Sequence, residues 1–231
     1  MDERQQHQAA RQARRDFLRA AGLGGAALAL AACGTGAESR PEPTGPLAAV
    51  TNANGVTLDF ANEVDVLNYA YALEQLEAAF YARVTSDPNF GAAFAPNERR
   101  VLSDLTAHEA IHREFLKAAI PAGARIPSLA VDFGGIDFGS RASVLAAARD
   151  FEDLGVTAYN GAARYIKTSA YLTLAGKIVS VEARHASAIR DLLQPRTGAF
   201  APADFDGART PEEVLAAAGA YIVGTITVKN T

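Results

Sequence analysis

Cysteine, tryptophan and methionine are almost missing from these 231 residues, which hold one Cys, no Trp and one Met. A lone cysteine cannot close an internal disulfide, and zinc sites built from four Cys, or from two Cys and two His, are excluded by count. Histidine is also scarce: His7, His108, His112 and His185 are the full set, so their placement is informative. Basic charge is not in excess. Lys and Arg number 22 against 26 Asp and Glu, a formal net charge of −4. That balance lacks the positive footprint a nucleic-acid partner requires. The apolar stretch Ala20 to Ala32 has thirteen residues, short of the roughly 20 that cross a bilayer core as a helix. What the chain does have is a hydrophobic fraction of 49%. At this length that supports one or two domains with a sizeable core and excludes a wholly disordered chain.

The N-terminus has the layout of an export signal, in which a charged segment, a short apolar stretch and small residues follow one another. Arg14-Arg15 followed by Phe17-Leu18 resembles the twin-arginine export motif, and Leu30-Ala31-Ala32-Cys33 resembles the lipobox of bacterial lipoproteins. The resemblance implies removal of residues 1–32, lipid attachment at Cys33 and a membrane as partner. The expected location is across the cytoplasmic membrane, as a periplasmic or cell-surface lipoprotein delivered by the twin-arginine machinery. The removed segment carries five Arg against three acids, so the mature chain would hold a net charge of about −6. Residues 33–57 are rich in Gly, Pro, Thr and Asn and bury too little apolar surface to offset their ordering entropy. They read as a flexible tether.

Beyond the tether the sequence reads as all-α. Helical periodicity runs over 62–84, 97–119, 141–167 and 170–193, each with one apolar stripe. In the first segment Leu67, Ala70, Tyr71, Ala78 and Tyr81 form the stripe, with Asp65, Asn68, Gln75 and Arg83 opposite. The second and third segments are separated by Pro121 to Ser140, too long a connection unless it crosses the length of a bundle. No segment shows convincing strand alternation. Thr210-Pro211-Glu212-Glu213 has the form of a capping box and predicts a short extra helix through about Tyr221, while Ile222 to Thr231 are ambiguous. The expected organisation is a signal at 1–32, a tether at 33–57, a bundle at 58–194 and a C-terminal extension at 195–231.

Polar residues stand on the apolar stripes, and their arrangement repeats. Glu74 has Leu67 seven residues before it and Tyr81 seven after; Glu152 has Leu145 and Tyr159 at the same distances. Each pattern is followed by a Glu-x-x-His, first Glu109 and His112, then Glu182 and His185. One unpaired buried carboxylate costs several kcal/mol, and four would exceed the stability of a typical domain. No Lys is well placed to neutralise them and Arg149 lies only near one edge. Two divalent cations would balance four carboxylates, with the imidazoles as neutral ligands. Residues three apart are neighbours on a helix, so each Glu-x-x-His can present an oxygen and a nitrogen together. Mixed oxygen and nitrogen donors suit iron or manganese, with zinc also open.

This ligand pattern resembles the ferritin-like di-iron carboxylate superfamily, in which two helices give one Glu each and two give Glu-x-x-His. The run Leu67–Tyr81 (LNYAYALEQLEAAFY) is similar to the exported, desiccation-related branch of that superfamily. The resemblance implies a ferritin-like four-helix bundle with a long crossover between the second and third helices, covering about residues 58–194. It implies Glu74, Glu109, His112, Glu152, Glu182 and His185 as ligands of two divalent ions, iron first and manganese second. Tyr81 and Tyr159 would lie beside the ligands, able to hydrogen-bond one or pass an electron. Glu77 also falls on the first stripe, but its repeat equivalent is Gly155, whereas Glu74 matches Glu152. His108 sits at the edge of its stripe and reads as a surface or neighbouring residue. Three functions follow as expectations: a di-iron oxidase acting on Fe²⁺ with O₂ or H₂O₂, a manganese-catalase-like peroxide disproportionation, and a non-enzymatic protection module with a relic site. A homodimer is compatible with each.

Overall fold

The computed structural model describes residues 52–231. The export motif at Arg14 and Arg15, the lipobox at Cys33 and most of the expected tether lie outside the described residues. Among the described residues no helix is long and apolar enough to cross a membrane.

Four long helices form the body. Helix α1 spans Glu63–Ser86 and is followed by the short α2 at Phe90–Ala93; α3 spans Pro96–Ala119, α4 Arg141–Ala162 and α5 Ser169–Leu193. The start signals are local. Asn62 caps α1 by accepting from the Val64 amide, with Glu63 and Asp65 in the first turn to complement the helix dipole. Pro96 opens α3, and the Glu98 carboxylate accepts from the Ala95 amide. Ser140 caps α4. Helix α5 is capped from a distance: Glu63 on α1 accepts from the Thr168 amide at 2.6 Å and its hydroxyl at 2.8 Å, and also from the Lys167 amide. The expected third helix ends early, at Ala162, and continues as a 3₁₀ turn over Ala163–Tyr165.

Helix α1 packs along α3 and α4 along α5, and the two hairpins meet through α1–α4 and α3–α5 contacts. The crossover from Pro121 to Ser140 runs over the face of α1 that the sequence assigned to solvent. That assignment is corrected: Asn68 and Gln75 are buried, at 1% and 8% exposure. Their amides satisfy the backbone of the crossover. Asn68 donates to the Ala124 carbonyl at 2.8 Å and accepts from the Ile126 amide at 2.9 Å; Gln75 accepts from the Leu129 amide at 2.8 Å. Buried amides that meet loop backbone groups explain why polar residues persist on a covered face.

A small sheet was not expected. Strand β1 at Asn52–Asp59 pairs in parallel with β3 at Ile222–Lys229, and β2 at Ala130–Val131 in the crossover pairs antiparallel with the other edge of β3. Val56 lies opposite Ile226 and Leu58 opposite Val228. Residues 52–57, read from composition as the end of the tether, therefore belong to a strand, and the ambiguous C-terminus is its partner. Leu58 and Phe60 carry this segment into the core. Helix α6, at Pro211–Ala218, has the Thr210–Glu213 capping box in place, and stops three residues before the expected Tyr221.

One glycine fixes where the C-terminal segment crosses the bundle. The Arg209 amide donates to the Thr157 carbonyl of α4 at 3.1 Å, and a Cβ on Gly161 would lie 1.8 Å from the Arg209 carbonyl oxygen. Backbone cannot yield as a flexible side chain does. Gly161→Ala is expected to cost at least about 3 kcal/mol, the upper end of ordinary overpacking. Urea denaturation checks this, and an unchanged midpoint would contradict the close approach.

Candidate metal centre

The four long helices bring the six sequence-predicted donors to one place. Helix α1 contributes Glu74, α3 contributes Glu109 and His112, α4 contributes Glu152, and α5 contributes Glu182 and His185. All four glutamates are fully buried. Their donor atoms form two overlapping groups. Glu74, Glu109, His112 and Glu182 make the first; Glu109, Glu152, Glu182 and His185 make the second. Within each group one donor atom per residue lies within 4.8 Å of the others. Glu109 and Glu182 belong to both, each preceding its histidine by three residues on α3 and α5. That is the placement of carboxylates that span two positions. Glu74 and Glu152 each belong to one.

The distances follow a near-twofold pattern. His112 Nδ1 lies 2.8 Å from Glu182 and 3.5 Å from Glu74 and Glu109. His185 Nδ1 lies 2.8 Å from Glu109, 3.5 Å from Glu152 and 3.6 Å from Glu182. At 2.8 Å these pairs are close enough to hydrogen-bond, yet the angular geometry is not met. Both Nδ1 atoms, both oxygens of Glu109 and of Glu182, and one oxygen each of Glu74 and Glu152 are buried without a hydrogen-bond partner. Buried polar atoms without partners are costly. Eight of them from six residues, converging on the same space, fit cations placed between them.

The tyrosines account for the remaining oxygens. Tyr81 on α1 donates to Glu152 Oε1 on α4 at 2.5 Å, and Tyr159 on α4 donates to Glu74 Oε1 on α1 at 2.6 Å. In both glutamates the oxygen left without a partner is Oε2. Each tyrosine thus pins one oxygen of a carboxylate from the opposite hairpin and leaves the other facing the centre. Burial and the neighbouring carboxylate push both phenols well above their usual range, so they remain donors.

Without a cation, protons must offset the charge. Burial, reinforced by Glu182, raises Glu74 well above the carboxylate range, and burial raises Glu152 to about 8. Burial also acts to raise Glu109, but the imidazoles of His112 and His185 outweigh it and hold its carboxyl down at about 2. For the histidines burial acts downward, and the facing glutamates prevail, with Glu109 the foremost; both are pushed up to about 12. The pocket therefore has a strong demand for positive charge.

His108 has a defined place that its position on the stripe's edge did not reveal. Its ring stacks on His185 at 5.2 Å between centroids, and its Nδ1 lies 2.9 Å from His185 Nε2. A hydrogen bond on Nε2 leaves Nδ1, the atom that faces the carboxylates, free to act as a ligand. Because His108 is exposed, His108→Ala should fold normally. It is expected to weaken metal binding about 10–100-fold. Mn²⁺ titration checks this, and an unchanged affinity would show that His185 is held without it.

A family model described as ferritin-like domain matches residues 62–195. The chain belongs to the ferritin-like domain family. No curated protein matches the chain. In this ferritin-like chain the matched span runs from the cap of α1 to just past the end of α5, so it contains the four helices and all six donors. The buried cluster of glutamates and histidines could hold metal ions, as its oxygen and nitrogen donors fit hard to borderline cations.

Proposed function

We propose that this ferritin-like protein is exported and lipid-anchored, and that its carboxylate-bridged dinuclear centre carries out redox chemistry on Fe²⁺ with O₂ or H₂O₂, as a ferroxidase or peroxide-detoxifying oxidoreductase in stress protection. The observation that carries the reading is the sharing of Glu109 and Glu182 between two donor groups. Shared carboxylates hold two ions close enough to act on one small molecule.

Glu74, Glu109, His112, Glu152, Glu182 and His185 would hold the ions. A bound pair of irons would supply electrons to dioxygen or peroxide. The chain's own contribution is placement and exclusion of water. Tyr81 and Tyr159 keep Glu152 and Glu74 oriented with one oxygen inward. Leu102, Leu105, Ile178 and Ile189, on the same stripes as the donors, are buried like them. The Glu-x-x-His pairs can take up or release protons as cations leave or enter, because the same atoms serve both.

Export and anchoring rest on the sequence of residues 1–33: twin arginines, apolar stretch and lipobox in order. Replacing Arg14 and Arg15 with Lys should leave the protein in the cytoplasm, and Cys33→Ala should release it from membranes. Fractionation of cells reads both.

The test of the chemistry starts from metal-free protein. Loading anaerobically with Fe²⁺ should give a pair of irons per chain, and addition of O₂ or H₂O₂ should oxidise them rapidly. Oxygen evolution from peroxide by a Mn²⁺-loaded form would replace this reading with the catalase-like one. A protein that retains neither metal, and whose melting temperature ignores both, would leave only a structural role.

A further inference from the structure

Four seams separate the long helices, and three of them are covered near the donors. The crossover lies over the seam between α1 and α3 and is tied to both helices. Gln75 on α1, next to Glu74, accepts from the Leu129 amide at 2.8 Å, and Arg125 donates to the Lys117 carbonyl of α3 at 2.7 Å. Tyr81 and Tyr159 reach across the seam between α1 and α4, backed by Phe80 against Phe151 at 4.9 Å between centroids. Between α3 and α5 the rings of His108 and His112 stack on His185, at 5.2 and 6.1 Å between centroids.

The seam between α4 and α5 is different, for it holds a cavity of about 420 Å³. A water-sized molecule needs only about 10–15 Å³. The turns that carry donors on their inner side line this cavity with small residues: Val156 follows Glu152 by one turn, and Ala183, Ala186 and Ser187 alternate with Glu182 and His185. Val156 and Ala186 are 4% and 7% exposed. Each lies about 40° round its helix from a donor glutamate, so one layer of small side chains stands between the cavity and the centre. In the internal repeat Ala186 and Ser187 correspond to Arg113 and Glu114 of α3, so long side chains hold the equivalent positions on the other hairpin. Residues 200–207 and Arg209 roof the cavity, and they lie outside the span matched to the family model. Asp153 and Arg190, also in its wall, neutralise each other at 2.6 Å.

We propose that this cavity is the entry chamber for a small neutral oxidant, H₂O₂ or O₂, which reaches the donors between Val156 and Ala186. This inference rests on the redox reading above. A centre whose four glutamates are fully buried needs a route for its small-molecule substrate. The chamber suits a neutral one, because a floor of Ala and Val side chains offers a desolvated ion no partner.

Nitric oxide tests the route, as a neutral diatomic molecule that binds Fe²⁺ without turnover and is followed by its visible bands. The full chain is loaded anaerobically with Fe²⁺ and mixed with nitric oxide in stopped flow. Ala186→Leu should slow binding at least about fivefold, the factor that about 1 kcal/mol of added barrier carries, and Val156→Ala should speed it. Ala110→Leu, at the position equivalent to Ala183 but on the covered seam between α1 and α3, should leave the rate unchanged. Fe²⁺ affinity should be the same in all four chains, because none of these residues donates to the ions. Oxidation by H₂O₂ and by O₂ should follow the same order of rates. Equal rates in all four chains, or slowing by Ala110→Leu as large as by Ala186→Leu, would overturn the route and leave the redox reading in place. Slowing that comes with weakened Fe²⁺ binding would also overturn it, as distortion of the donors. Should Ala186→Leu not fold, an unchanged rate in Val156→Ala overturns the route alone. An unmodified chain that takes up no Fe²⁺ would end the redox reading, and the route with it.

Discussion

Replacing Glu109 or Glu182 with alanine is expected to abolish metal uptake at both positions, whereas Glu74→Ala or Glu152→Ala should remove one ion and spare the other. Only Glu109 and Glu182 belong to both donor groups. Losing one leaves each position with three of its four donors and one shared carboxylate in place of two. Losing Glu74 strips the group around His112, while the group around His185 retains all four members. The readout is thermal. A ligand that binds only the folded chain adds about 4 kcal/mol at a thousandfold excess over its dissociation constant. For a domain of this size that is roughly 8–16 °C per site. The unmodified protein should gain that shift with Mn²⁺, the Glu74 and Glu152 variants part of it, and the Glu109 and Glu182 variants none. A Glu109→Ala protein that Mn²⁺ stabilises as fully as the unmodified one would remove the shared carboxylates from the centre.

The same residues show why the site could be read before the fold was complete. A carboxylate on an apolar stripe is a local contradiction, and repetition at matched spacing made it a pattern. Leu67, Glu74 and Tyr81 share one face because seven residues make nearly two turns. Their counterparts on α4 therefore meet them across the bundle, with each Tyr reaching the other's Glu. Other features depended on partners far away in sequence. Asn68 and Gln75 look like solvent-facing residues until the crossover covers them. Strand β1 pairs with β3 at Thr57 and Thr227, whose hydroxyls lie 2.9 Å apart across 170 residues of chain. Each strand alternates over only four or five residues, Val56–Asp59 and Thr225–Lys229, too short to stand out against the composition that assigned the first to a tether. Glu77 and His108 fall between these cases. Their positions near the stripes were visible, but what they face, Gly155 and His185, comes from neighbouring helices.

Metal affinity should rise steeply with pH. In the metal-free pocket His112 and His185 hold their protons up to about 12, and Glu152 holds its own up to about 8. A nitrogen or oxygen that carries a proton cannot ligate through that atom, so cations must displace these protons. Each displaced proton changes the apparent binding constant about tenfold per pH unit, in the direction of tighter binding as pH rises. The two histidines alone give two decades per unit for the ion pair. Below pH about 8 Glu152 adds a third, and Glu74, raised by its burial, adds further to the slope. Charge requires the same exchange, since four buried carboxylates are neutralised either by four protons or by two divalent ions. Calorimetric titration with Mn²⁺ in buffers of different ionisation enthalpy counts the released protons directly. At least three are expected near neutral pH, with the count falling as the pH passes 8. A release of less than one proton, with affinity flat between pH 6 and 8, would mean that His112 and His185 do not give up protons to the ions and that the donor set lies elsewhere.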